Sequence, residues 1–269
     1  MAKLWGWWTR HKLQILEDYL QAFATATKSV EERIYLDLFA GWSENISRET
    51  DEQILGSVHR ALRATPPFTR LCLFEVEGKA QRIEAAIHKA YPGRKGIAVY
   101  PGDCNIQVSR ALVDLRRVAW APTFAFIDQF DSEVHWSTLE KIANFRLRGP
   151  KAEMWILFAT GQYPRGLNIH GDELNSTYGD TLTRMLGTEE WINIAEARRR
   201  GILDPGRRTR RMGQSDALAL GARPRLRRLT CVHHEEHQRQ RYLRHDLHDG
   251  SSRRREDHES PIRHGAFTA

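Results

Sequence analysis

The stretch Tyr35-Leu36-Asp37-Leu38-Phe39-Ala40-Gly41-Trp42-Ser43-Glu44-Asn45 decides the fold. Tyr35–Phe39 is apolar apart from Asp37, and it runs into Ala40-Gly41, where side chains nearly vanish. An apolar strand that stops at a glycine turn lets a ligand come close to the backbone. A carboxylate at that point can accept from a ribose hydroxyl or an amino group. The alternative is a buried strand and tight turn whose aspartate is satisfied inside the protein.

Working outward, strand-like and helix-like runs alternate. Trp5–Phe23 carries Leu13, Ile15, Leu16, Tyr19, Leu20 and Phe23 at helical spacing. Trp7, Trp8 and His11 precede that stripe, as a clasp over the main domain or a lid over a pocket. Strands are expected at Val30–Phe39, Leu71–Val76, Gly96–Tyr100, Pro122–Asp128 and Ala152–Ala159. Helices are expected at Gly56–Ala64, Lys79–Ala90, Ile106–Arg117 and Ser137–Arg146, the last with Ser137 and Glu140 as a capping box. Trp42–Ile54 and Gly161–Gly179 read as loops, and Asp180–Leu186 and Thr188–Gly201 as short helices. Strands apolar on both faces, alternating with helices, predict a Rossmann-like α/β domain over residues 31–205: a parallel sheet with helices on both faces. Residues 1–30 form a helical N-terminal segment.

Ligands of such sheets sit beyond the carboxyl ends of the strands. Four consecutive strands end there in an acid: Asp37 with Gly41, then Glu75, Asp103 and Asp128. Glu75 suits the two hydroxyls of a ribose, and Asp103 beside Cys104 suits the exocyclic amine of an adenine. The chain has neither a Gly-x-x-x-x-Gly-Lys-Ser/Thr loop nor a full Gly-x-Gly-x-x-Gly turn.

These residues resemble class I S-adenosylmethionine-dependent methyltransferases and, more closely, the three-Cys-motif partner proteins. The matching stretches are Trp7–Lys12, Tyr35–Gly41, Phe126–Phe130 and Trp136–Lys141, and the likeness covers residues 5–205. It implies S-adenosylmethionine held by Asp37, Phe39, Gly41, Glu75, Asp103 and Cys104. It also implies a methyl acceptor, a nucleic-acid base, facing Asp128 and Phe130. In methyltransferases of base amino groups the acid is followed by proline and an aromatic that stacks on the flipped base. Here Gln129 replaces that proline, and Trp42 replaces a second glycine after Gly41. The other implied reading is a non-catalytic partner of a three-Cys-motif protein in a modification or phage-defence system.

No run of eighteen apolar residues is present, no secretory signal opens the chain, and a cytoplasmic location is expected. Cys72, Cys104 and Cys231 lack the spacing of a disulfide framework or a zinc site. The formal charge of +7 is carried wholly by residues 207–269, with fifteen Arg against eight acids. That Arg/His-rich tail, taken from residue 206, reads as disordered. It also reads as a frameshift near Pro205–Arg207. Shifted by one base, Arg207–Gly213 can encode Glu-Glu-Arg-Glu-Glu-Trp, and the Met212–Gly213 junction forces the Trp. His245–Ser260 yields a folding-competent pattern in the same frame. Sequencing the gene tests this: the idea fails if no one-base change opens a longer frame.

Overall fold

The computed structural model describes residues 3–41, 44–47, 53–147, 149–158, 161–203 and 229–233. In chain order its elements are β1 (Lys3–Trp5), α1 (Trp7–Ala26), β2 (Ile34–Asp37), β3 (Glu44–Ser47), β4 (Gln53–Leu55) and α2 (Ser57–Arg63). There follow β5 (Arg70–Glu75), α3 (Glu77–Ala90), β6 (Ile97–Pro101), α4 (Cys104–Asp114), β7 (Thr123–Ile127), α5 (Trp136–Phe145) and β8 (Glu153–Phe158). The described part ends with α6 (Tyr163–Gly166), α7 (Ser176–Leu186), α8 (Trp191–Arg199) and β9 (Leu229–His233).

The main sheet has the order β6-β5-β2-β7-β8-β9, and every neighbouring pair is parallel. Numbered within the sheet, that is 3-2-1-4-5-6, the doubly wound order. Successive side chains leave a strand on opposite faces. Tyr35, Leu71, Leu73, Phe124, Phe126 and Trp155 therefore pack with α1, α2 and α3. Ile34, Leu36, Phe74, Ala125, Ile127 and Ile156 pack with α4, α5, α7 and α8. The long N-terminal helix belongs to this layering: Leu13, Leu16, Leu20 and Phe23 are buried in the first cluster. Burial of such side chains stabilises the fold by about 1.5–3 kcal/mol each.

Several expectations change. The 42–54 segment, read as a loop, contains β3 and β4, which join β1 in a second, three-stranded sheet. β4 folds back on β3, but the strand that β3 pairs in parallel is β1 at Lys3–Trp5, too remote in sequence for local pattern to reveal. The capping box fails. His135 is the N-cap of α5 with no side-chain cap bond, and Ser137 already lies inside the helix. The 161–179 loop holds the short α6 and the start of α7. Within the tail expected to be disordered, Leu229–His233 pairs parallel with β8. A five-residue run with two β-branched members (Thr230 and Val232) has met an otherwise open sheet edge. The remainder of the tail, including both frameshift stretches, lies outside the described residues, as does Trp42. Among the described residues no helix is long and apolar enough to cross a membrane.

Candidate functional site at the carboxyl rim

Strand order reverses between β2 and β7, which opens a crevice at the carboxyl ends of these neighbours. Asp37 ends β2, in register with Leu73 and Phe126, and Asp128 follows β7 directly. Asp37 is 0% exposed. Tyr35 Oη donates to its Oδ2 at 2.9 Å, while Oδ1 has no hydrogen-bond partner. Burial pushes its carboxyl up to about 7; the hydroxyls of Ser57 and Tyr35 oppose this, and the charge of Asp128 adds to it. Tyr35 is also held well above its usual range, chiefly by burial and next by the charge of Asp37.

Asp128 meets a cation from α1. Lys12 Nζ lies 2.5 Å from Asp128 Oδ2, with the lysine side chain 9% exposed and the aspartate 26%. Lys12 is in phase with Leu16 and Leu20 on the buried face of α1. A lysine in phase with an apolar stripe is the sequence signal for this residue. Trp8 lies one turn before Lys12 and His11 directly before it, and their rings cluster with Trp7 at centroid distances of 6.1–6.4 Å.

Next along the rim, Glu75 holds the glycine turn. Gly41 N donates to Oε2 at 2.9 Å, Val76 N donates to Oε1 at 3.0 Å, and Lys79 Nζ lies 3.7 Å from Oε1. Gly41 has φ +62°, a left-handed conformation that favours glycine. Phe39, in the same turn, is partly buried against the α4–α5 cluster. The Gly102 amide donates to Glu75 O at 2.9 Å, which brings Asp103 beside Glu75.

Asp103 is the N-cap of α4 and accepts from Asn105 N at 2.8 Å and Asn105 Nδ2 at 3.0 Å, both on Oδ1. Asn105 was missed in the sequence, and it ties two strand ends together. Its Nδ2 donates to Glu133 O at 2.9 Å, and its Oδ1 accepts from His135 N and Thr138 Oγ1, each at 2.8 Å. An Asn two positions after a capping Asp was its only local signal. Asn105→Ala strands these groups and should cost roughly 2 kcal/mol. Urea unfolding checks this, and amide exchange at His135 should quicken with it. Cys104 lies in the core rather than at the surface. Burial, reinforced by the charges of Asp103 and Glu133, raises its thiol to about 12.

The loop after β7 is fixed from the other side by Gln129. Its Nε2 donates to Leu157 O at 3.3 Å, and its Oε1 accepts from Val134 N at 3.0 Å. Gln129 is buried, so the residue in the proline position stiffens the loop through hydrogen bonds. Tyr178 Oη donates to Asp131 Oδ1 at 2.6 Å. Phe130, two residues past Asp128, is left 76% exposed.

The rim thus brings Asp37 and Asp128 together at the switch point, with Gly41, Glu75 and Asp103 following along the β5–β6 side. It turns Asp37 and Cys104 inward. A shallow depression beside β6 is lined by Glu84, Ile87, His88, Tyr91, Arg94, Ile97 and Val99, none of them a strand-end acid. Among the described residues no group of three or more His, Cys, Asp or Glu side chains could hold a metal. Family models, curated proteins and solved structures give no match to this chain, so its functional reading rests on the residues above.

Proposed function

We propose that the chain is a three-Cys-motif partner protein whose Rossmann-like domain binds S-adenosylmethionine and presents Asp128 to a methyl acceptor. The observation that carries this reading is the doubly wound order with an acid at the end of each of its four leading strands. The residues fit the cofactor in part. Glu75 keeps a lone pair on each oxygen for ribose hydroxyls, Gly41 leaves the turn bare, and Asp103 Oδ2 is open to an adenine amine. Asp37 and Cys104 support that surface from below. The cofactor would supply an activated methyl group, and the protein contributes positioning. By the resemblance the acceptor is an amino group of a nucleic-acid base, and buried, unpaired Cys72 and Cys104 suit a reducing cytoplasm.

Calorimetry with S-adenosylmethionine tests this: saturable binding is expected, weakened about tenfold or more in Glu75→Ala. Absence of heat with the unaltered protein removes the cofactor. A second reading then stands, a non-catalytic binding partner of a three-Cys-motif protein. It is favoured by the Lys12–Asp128 ion pair, which already fills the acceptor position.

A further inference from the structure

The crevice between β2 and β7 contains two carboxylates and one ammonium. Lys12 Nζ sits 2.5 Å from Asp128 Oδ2, and wholly buried Asp37, whose carboxyl senses the charge of Asp128, keeps Oδ1 without a hydrogen-bond partner. Asp128 is partly open to solvent, whereas Lys12 reaches it from the helix layer below. Helix α1 is anchored by Leu13, Leu16, Leu20 and Phe23, so only the four-carbon stem of Lys12 is free to leave. Exchange of one ammonium for another would leave no buried charge uncompensated, and such loss is what makes broken ion pairs costly. Phe130, two residues beyond Asp128 in the chain, offers an exposed ring.

We propose that this crevice is a binding site for a primary ammonium on an unbranched alkyl stem, the chemistry of a lysine side chain, with Lys12 as its tethered occupant. An incoming ammonium takes Asp128, and Lys12 swings out. The site needs no S-adenosylmethionine, so its test is independent of the methyl-transfer reading.

The probe is n-propylammonium, whose atoms match those removed by Lys12→Ala. In that variant it should raise the unfolding midpoint by about 3 °C once it is some tenfold above its dissociation constant. 1-Propanol and potassium chloride should not, and the effect should vanish in Lys12→Ala/Asp128→Asn. In the unaltered protein, propylammonium should move the Lys12 side-chain nitrogen resonance to that of a solvent-exposed lysine. Equal responses to propylammonium and propanol in Lys12→Ala overturn the proposal. If that variant does not fold, a Lys12 resonance that stays put through the titration overturns it instead.

Discussion

Asp37→Asn should stabilise the protein by on the order of 4 kcal/mol at about pH 8 and leave it nearly unchanged at about pH 4. Burial lifts this carboxyl from 3.8 to about 7 against opposing hydrogen bonds, and the charge of Asp128 lifts it further. Between those two values the folded chain holds a proton that the unfolded chain has already released. The contribution of this group to stability therefore falls as pH rises through that window, and it stays lost above it. Asn keeps the shape, still accepts from Tyr35 Oη, and carries no charge to desolvate. Urea unfolding of both proteins at the two pH values measures the effect. Parallel pH profiles would show that Asp37 is not the cause.

The second large effect belongs to Lys12. Lys12→Met keeps the length of the stem and removes the cation from Asp128. Breaking a buried pair from one side costs 3–5 kcal/mol, and the partial exposure of Asp128 places the expected loss near 3 kcal/mol. Asp128→Asn should cost less, because it also withdraws a like charge from Asp37. The double variant Lys12→Met/Asp128→Asn should then be more stable than Lys12→Met alone. A double-mutant cycle by chemical unfolding reads that coupling. Strict additivity would mean that the two side chains do not interact in solution.

These two results would separate the roles of the strand-end acids. Glu75 and Asp103 organise backbone: one holds the turn at Gly41, the other caps α4 and, through Asn105, the loop that follows β7. Asp37 and Asp128 form a charge cluster that α1 completes. The rim is therefore built from two kinds of carboxylate, although all four look alike as letters at the ends of strands.

How far the residues alone could lead is visible in particular cases. Strand β7 was legible because Thr-Phe-Ala-Phe-Ile is apolar on both faces, which only a covered parallel strand requires. Helix α1 was legible from its stripe. Strand β3 was not, because its partner β1 is remote and its own sequence is polar, and β4 is only three residues long. Ser137 misled because a Ser with Glu three residues on has cap chemistry wherever it occurs, while the start of α5 is set by the bonds from His135 N and Thr138 to Asn105.

The sequence by itself determined the layering, the parallel sheet and the placing of four acids at one rim, since these follow from periodicity and from where apolar runs stop. Only the tertiary structure decided what each acid faces. Burial of Asp37, the reach of Lys12 across the chain to Asp128, and the double attachment of Asn105 are contacts between residues far apart in sequence. Their energies depend on local dielectric and geometry, which no spacing of residues encodes.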